Sequence, residues 1–593
     1  MKENWILVNK KESFKKLSEF LDENPLVLRL LANRGIDDIN LAQRFLKGTI
    51  EDLYDGYLMK DMKKGINIIK NAILENKKII IYGDYDCDGV NSTTILYKAL
   101  KAVGANYSYY IPNREEEGYG MHSGRIKKLA EEGYEVILTC DNGISAFEQV
   151  ELAKSLGMEV VITDHHDIPL REDENGVLKE KAPNADAVIN PKQIECNYPF
   201  KMLCGAGIAL KFSKCLFDEF NIDNSNYIDL FQFASIATVC DVVDLVDENR
   251  IIVKKGLELL NESKNYGVEE LKKATLLNDK KIEEYHLGFV IGPCINATGR
   301  LETADLSVEL LITEDRERAR ILANQLSELN TIRQDLTKES TERIIDRIEV
   351  EKDKADKVIV VYDENVHESI AGIVAGRVKE KYNMPCIVLT KGKEMPKGSA
   401  RSIEGYNITK ELSKCAVLID KFGGHPMAAG LSIKEENIEV LRRQLNENCI
   451  LTDEDLVPVI KIDLPLSLNY LDEELINVIE ELRPFGKGNP SPLFAIKDLL
   501  IERMWLLGKE KNFLKLRFSF ELNGSKLFID GISFDKFESF KEDIILRFGE
   551  EKFTEACNTS YLNLKADIIY YPSINEFNGN RKIQLNIKNI RIK

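Results

Sequence analysis

From residue 77 the chain sets down short apolar runs at 77–82, 106–111, 135–140, 158–163 and 186–189, with stretches of helical spacing between them. Short, almost continuously apolar strands alternating with helices predict a parallel sheet with helices on both faces. Upstream, residues 1–75 carry helix-like spacing from Leu26 to Leu31 and from Ile39 to Leu46, with mixed charge and no candidate chemistry. Downstream, residues 256–345 read as mostly helical, and RERARILANQLSELNTIRQDL repeats every 3.6 residues, which predicts a long helix with solvated faces. Residues 346–450 return to β–α patterning, with KVIVVY and PCIVLT as strands. The turn-rich stretch PFGKGNPSP then forms a joint near residue 484. After it, FAIKDLLIERMWLLG, FLKLRFSFEL, SKLFIDGISF, LKADIIYYPSI and KIQLNIKNIRI alternate apolar and polar positions, which predicts a small antiparallel barrel.

Composition narrows the class. A chain of 593 residues, 44% of them hydrophobic, has room for three or four cored domains. No apolar run reaches the roughly 18 residues of a membrane span. The opening MKENWILVNKKES lacks the apolar region of a signal peptide, which points to the cytoplasm. The eleven cysteines include no CxxC pair and read as reduced structural thiols, not disulfides or a zinc site. A net charge of −17 argues against a general nucleic-acid binder and predicts weak non-specific duplex binding, while leaving room for a narrow basic channel.

The chemistry gathers at strand ends. After Ile79 to Ile81 come Asp84, Asp86 and Asp88, then Gly89, then Asn91 to Thr94 at the start of a helical stretch. Alternation puts the three carboxylates within a few ångströms of one another. Like charges that close repel, and divalent cations with a preference for hard oxygen ligands are the natural compensation. Gly89 lets the backbone come close at the turn. Further on, VILTC is followed by Asp141, EVVIT by Asp164, His165, His166 and Asp167, and the helix-like FASIATVC by Asp241. Each alone has an ordinary reading: Asp141 as a helix cap, the histidines as loop residues, Asp241 as a surface acid. Four separated segments each delivering a ligand-type residue at an element end point instead to a two-metal carboxylate–histidine centre. Such a centre generates hydroxide at neutral pH and stabilises in-line attack on phosphorus, and the histidine nitrogens tilt preference towards Mn²⁺ over Mg²⁺.

DYDCDG, CDNGIS, TDHH and the aspartate of ATVCDVVDL resemble the four motifs of the DHH phosphoesterase superfamily. The likeness is closer still to its RecJ family of single-stranded-DNA exonucleases. PNREEEGYGMH, LCGAGIALK, NATGRLETAD, HESIAGIVAGRV, SARSIEGYNI, GGHPMAAGLS and LRPFGKGNPSPLF all resemble segments of that family, in the family's order.

Residue by residue, the resemblance implies that Asp86 and Asp88 bind one metal each, with Asp84 assisting. Asp141 would bridge, and His165 and Asp241 would complete the second metal's shell. His166 would stand beside the scissile phosphate as electrostatic stabiliser or proton donor. One departure is Tyr82, where many DHH enzymes carry histidine; it reads either as a weakening of the first metal site or as a strand residue with no metal role. Arg114 would contact phosphate and Tyr119 would stack on a base. Asn190 and Pro191 would shape the cleft, and Gly205 and Gly207 would allow close packing. Asn296, Thr298 and Arg300 form a polar cluster from which Arg300 would contact the DNA backbone. Gly372, Ala375 and Gly376 form a small-residue face suited to helix packing. Ser399, Arg401 and the Gly424–His425 turn would form a pocket for a terminal 5′-phosphate. Phe513, Lys515 and Arg517 share a strand face that would help thread a single strand.

The fold implied is α/β. A parallel-sheet DHH domain (77–255) is joined by a helical connector (256–345) to a smaller α/β DHH-associated domain (346–455). An N-terminal helical segment (1–76) precedes these and an OB-like β-barrel (456–593) follows. The activity implied is processive, single-stranded-DNA-specific 5′-to-3′ exonucleolytic release of mononucleotides with two Mn²⁺ or Mg²⁺ ions, with single-strand-binding protein and a helicase as partners and no membrane. The alternatives are a DHH phosphodiesterase acting on short RNA or cyclic dinucleotides and a non-catalytic DNA-binding scaffold. The extra barrel disfavours the first, and the full ligand set disfavours the second.

Overall fold

The five apolar runs become strands β1 (Lys78–Tyr82), β2 (Asn106–Tyr110), β3 (Val136–Cys140), β4 (Glu159–Thr163) and β5 (Ala187–Ile189), each within a residue of the expected span. All pair in parallel in the order β2-β1-β3-β4-β5. Both faces are covered, which is why the runs are continuously apolar: Ile79, Ile81 and Leu138 enter one core, and Ile80, Tyr82 and Ile137 the opposite one. The strand order reverses at β1, so a crevice opens beyond the carboxyl ends of β1, β3 and β4.

The computed structural model describes residues 3–114, 117–172, 176–351, 356–508, 513–577 and 579–593. Contacts divide the chain into two units, Thr49–Leu456 and Met1–Gly48 with Val457–Lys593. The first unit holds the parallel sheet and helices α1 (Cys87–Ala102), α2 (Gly205–Phe220), α3 (Phe231–Cys240), α4 (Asp247–Asn261) and α5 (Gly292–Leu301). The expected long helix is α6 (Arg316–Glu351), of 36 residues. Its Leu322 and Leu326 belong to the core of the parallel sheet, while Ile344 and Ile348 belong to the core of a second sheet. That sheet joins β6 (Ile359–Tyr362), β7 (Cys386–Thr390), β8 (Lys397–Arg401), β9 (Ile419–His425) and β10 (Ala428–Ile433) in the order β9-β10-β8-β7-β6. Only β6 and β7 run parallel in it, and α7 (Ala371–Tyr382) packs against β7 and β8.

In the second unit, β11 (Phe494–Leu507), β12 (Phe513–Leu522), β13 (Ser525–Ser533), β14 (Tyr561–Phe577) and β15 (Asn580–Ile592) pair in the order β11-β12-β13-β15-β14, and β14 pairs back onto β11 to close a ring. All pairings in the ring are antiparallel except β13 with β15. Phe513, Lys515 and Arg517 do alternate on β12, but Lys515 and Arg517 share one partner, Asp530, at 3.0 and 2.7 Å, so half of that pair's positive charge is offset. The stretch expected as one segment over 1–76 is divided: Asn4–Leu7 pairs with Val459–Ile462, and Leu17, Leu28 and Leu30 enter the barrel's core, whereas Met62, Ile66 and Ile69 enter the core of the parallel sheet. No helix among the described residues is long and apolar enough to cross a membrane.

Candidate metal centre and phosphate pocket

The loop after β1 is built to hold carboxylates. Asp86 caps α1, its Oδ1 accepting from the backbone N–H groups of Asp88 and Gly89 at 2.9 and 3.0 Å. A Cβ on Gly89 would stand 2.5 Å from the carbonyl oxygen of Asp84, so only glycine lets the helix start lie that close. Asp88 is buried and accepts the Gly205 and Ala206 N–H groups, at 2.7 and 2.8 Å, from the start of α2. Gly205 has a packing role too, since a Cβ there would meet the Asp141 side chain at 2.7 Å. Asp141 itself follows β3 with φ at 61°, a left-handed backbone unusual for aspartate and of the sort concentrated at functional sites. Asp241 ends α3, as expected from the sequence.

These segments converge. Asp84, Asp86 and Asp141 each offer an oxygen within 4.8 Å of the others; Asp88, His165 and Asp241 bring two oxygens and a ring nitrogen equally close, and Asp141, His165 and His166 one oxygen and two ring nitrogens. Asp141 belongs to both ends of the cluster. Asp84 Oδ1 and Asp141 Oδ1 are buried without a hydrogen-bond partner. Burial and the neighbouring carboxylates push Asp84 and Asp141 well above the usual aspartate range, and raise Asp88 to about 6 and Asp241 to about 8. His165 is the reverse case: burial, then the charge of His166, lower it to about 3, so its imidazole is neutral. Its Nε2 stands 3.0 Å from Asp141 Oδ1 and 3.6 Å from Asp88 Oδ2, while its Nδ1 is 3.8 Å from Asp241 Oδ2. A neutral nitrogen and a carboxylate oxygen brought together while Asp141 Oδ1 lacks a donor are two lone-pair groups aimed at one point. Orphaned acceptors, raised carboxylates and a mixed oxygen–nitrogen donor set fit divalent cations.

His166 is held differently. Burial would lower it, but its Nδ1 bonds Asp164 Oδ1 at 2.7 Å, and Asp164, Asp241 and Asp86 attract its proton, so it is raised to about 9. Asp164 is fully buried. Burial pushes it up, yet the His166 bond and charge, with help from the Ile144 N–H at 2.9 Å, hold it below the usual range. Its Oδ1 also takes the backbone N–H groups of His165 and His166. Asp164 is the residue that sequence reasoning passed over: it stands inside TDHH, and only the fold shows that it orients both histidines. Tyr119, expected to stack on a base, has its hydroxyl 3.2 Å from His166 and donating to the Asp141 carbonyl at 3.3 Å. Within the stretch that carries it, Glu115 and Glu116 lie outside the described residues. Tyr82 is a fully buried strand residue whose hydroxyl accepts from the His122 N–H at 3.2 Å.

A basic pocket lies alongside. Arg114, Lys397, Ser399, Lys421 and Gly423 help line a cavity of about 450 Å³. Arg401 reaches Ser399 Oγ at 3.3 Å, and a Cβ on Gly372 would strike both side chains at under 3 Å, so this glycine makes room for them. Gly376, by contrast, has open space beside it. Arg300 donates to the Ser369 carbonyl at 2.5 Å; burial, then the charges of Arg114 and Arg333, lower it to about 10, with Arg401 adding to the effect. Arg401 is likewise lowered, by burial and by Arg114. Guanidinium groups that depress one another call for a polyanion. Asn296 spends its carboxamide oxygen on the Cys87 N–H at 2.9 Å, which fixes the start of α1. Gly424 and His425 are not among the residues lining the cavity; Gly423 is, and His425 Nδ1 lies 3.8 Å from Asp167.

Comparison with known proteins identifies the family. Residues 78–238 match the DHH family, N-terminal domain; residues 355–450 match the DHHA1 domain; residues 462–589 match the RecJ OB domain. The chain is 36% identical to the single-stranded-DNA-specific exonuclease RecJ of Bacillus subtilis, over 98% of this chain and 70% of that one. It is 32% identical to the Escherichia coli protein of that name, over 95% of this chain and 96% of that one. Thermus thermophilus RecJ, solved in complex with Mn²⁺, shares the fold with a TM-score of 0.79 at 23% identity, over 99% of this chain and 79% of that one. A second solved RecJ exonuclease, bound to manganese, is 28% identical with a TM-score of 0.57, over 67% of this chain and 98% of that one. The chain belongs to the RecJ family of single-stranded-DNA-specific exonucleases.

Proposed function

We propose that the chain is a metal-dependent exonuclease that degrades single-stranded DNA from its 5′ end and releases mononucleotides. The observation that carries the reading is the donor cluster: His165 Nε2 stands 3.0 Å from Asp141 Oδ1, an oxygen left without a donor, amid buried carboxylates that repel one another. Asp84, Asp86 and Asp141 would hold one Mn²⁺ or Mg²⁺, and Asp88, His165 and Asp241 a second, with Asp141 shared. The ions supply a hydroxide nucleophile at neutral pH and charge stabilisation at phosphorus.

The chain's own residues do the rest. The α2 N–H groups fix Asp88, and the left-handed turn aims Asp141. Asp164 holds the His166 ring at 2.7 Å and favours its proton, which would let His166 stabilise the scissile phosphate or protonate the leaving oxygen. Arg114, Ser399 and Arg401 would grip a terminal 5′-phosphate, with Arg300 on the next backbone position. That pocket explains a requirement for a free end. Tyr119 is hydrogen-bonded at the metal centre, beside His166. Single-strand-binding protein and a helicase are the partners in this reading, and the cytoplasm its setting.

The test follows mononucleotide release from internally labelled single-stranded DNA, with each end blocked in turn, beside duplex DNA, short RNA and cyclic dinucleotides. Cleavage of single strands only when the 5′ end is free, abolished by EDTA, supports the reading. Survival of long DNA while dinucleotides or short RNA are cleaved transfers the activity to the small-substrate class.

A further inference from the structure

Before α5 the chain makes a short helical turn, Glu284–His286, and one π-turn, Leu287–Ile291. Such turns recur at functional sites. Along this continuous stretch Tyr285, Phe289, Pro293, Asn296 and Arg300 follow one another at steps of four, four, three and four residues, which places them on one face. All five are at least partly exposed, whereas Leu287, Ile291, Ile295 and Thr298 are buried.

One end of the face carries Asn296 and Arg300, against the start of α1 and the arginine pocket. The other end carries two aromatic rings stacked with centroids 4.9 Å apart and planes 23° from parallel. Tyr285 is 59% exposed and Phe289 66%. A lone exposed aromatic would need no explanation; two stacked on each other cover one face of each ring and leave an outer face on which a further flat ring can continue the stack. The π-turn holding them packs on the end of α3: Cys240 Sγ donates to the Leu287 carbonyl at 3.4 Å, and Gly288 rests on Val239. The next residue of that helix end is Asp241, followed by Val242, itself 59% exposed. The turn that carries the aromatic pair therefore packs against the helix end that leads into Asp241. Phe289 stands eleven residues from Arg300, roughly 16 Å along a helix.

We infer that Tyr285 and Phe289 form a stacking platform for unpaired bases of the substrate strand, downstream of the scissile phosphate. The inference rests on the exonuclease reading above. A single strand is the ligand whose chemistry alternates along its length as this face does: phosphates for Arg300, flat bases for the aromatic pair. Stacking is tolerant of base identity, so the platform would strengthen the grip on a strand without imposing sequence preference.

The test uses the full chain in EDTA with single-stranded DNA carrying 2-aminopurine, moved one position at a time from the 5′ end, and then kinetics with Mn²⁺ on a long oligonucleotide and on a trinucleotide. The expected result is a change in fluorescence confined to a short window of positions, lost in Tyr285→Ala and Phe289→Ala and kept in Phe289→Tyr. KM on the long strand rises roughly 5- to 100-fold in the alanine variants, while the trinucleotide, too short to reach, is cleaved as before. An unchanged fluorescence window and unchanged KM in the alanine variants overturn the platform while leaving the exonuclease intact. Equal losses on both substrates, with a lowered melting temperature, assign the rings to the fold and also overturn it. Failure of the unaltered chain to cleave either substrate removes the exonuclease reading itself, and the platform with it.

Discussion

Two buried polar clusters lie within the same unit, and they are built in opposite ways. Behind the site, Lys211 donates to Glu248 at 2.5 Å and to the Tyr54 carbonyl at 2.7 Å; Tyr198 donates to the other oxygen of Glu248 at 2.5 Å, and the Tyr54 N–H adds a fourth bond at 2.8 Å. Lys211 and Glu248 are almost wholly buried, yet each charge meets its opposite. Asp84, Asp88 and Asp141 of the metal centre are as deeply buried, but they meet like charges, and two of their oxygens meet no donor at all. The first cluster is complete as folded. The second is completed only by cations, and that difference separates a structural network from a site.

The comparison breaks most visibly at its two centres. Asp141→Ala is expected to reduce nuclease activity by on the order of 10³-fold or more. Its melting temperature in EDTA should hold or rise, because a repelling charge has gone. Lys211→Met should do the opposite, leaving Glu248 buried and unpaired at a cost of about 3–5 kcal/mol of stability, read by denaturant unfolding. If Asp141→Ala unfolds the protein as Lys211→Met does, the two clusters are not different in kind.

Metal and pH sharpen the contrast. The folded-state pKa values of Asp88, about 6, and Asp241, about 8, lie above the ordinary aspartate value of about 3.9. The folded chain therefore holds protons that the unfolded chain releases. In EDTA these groups favour folding at low pH, and that contribution is lost as pH rises through about 6 and then about 8. Saturating Mn²⁺ should reverse the trend at neutral pH, adding about 2.7 kcal/mol at a hundredfold excess over Kd. Thermal melts across pH, with and without the ion, check both signs.

Two smaller effects divide the site further. Asp164→Asn should lower kcat roughly 10- to 100-fold, by freeing His166, with less change in KM; a steady-state comparison reads this. Arg401→Ala should raise KM for 5′-phosphorylated strands by about tenfold, the value of one charge-assisted bond at about 1.5 kcal/mol. It should leave 5′-hydroxyl strands nearly untouched, as competition between the two substrates would show.

Much of this was legible in the sequence because it rests on local rules. The strands of the parallel sheet announce themselves as apolar runs because both faces are covered, and the ligand residues follow their ends. The barrel was legible from alternation. What escaped depends on how distant segments meet. Nothing local says that Asn296 would cap the helix begun at Cys87, or that Gly372 makes room for Arg401 as well as packing in its helix. Asp164 looked like one loop acid among several until its four hydrogen bonds were placed. The division of residues 1–76 between two cores was hidden because amphipathic spacing shows that a face is buried and not against what.

The most direct measurement is equilibrium Mn²⁺ binding to the metal-free full-length chain, set beside Asp141→Ala and Glu248→Gln. The account predicts two ions per chain for the unaltered protein, weakened or lost binding of both in Asp141→Ala, and two ions at the complete cluster's variant Glu248→Gln so long as it remains folded. A chain that binds no Mn²⁺, or binds it equally well without the Asp141 carboxylate, would contradict the reading of the unpaired cluster as a metal centre.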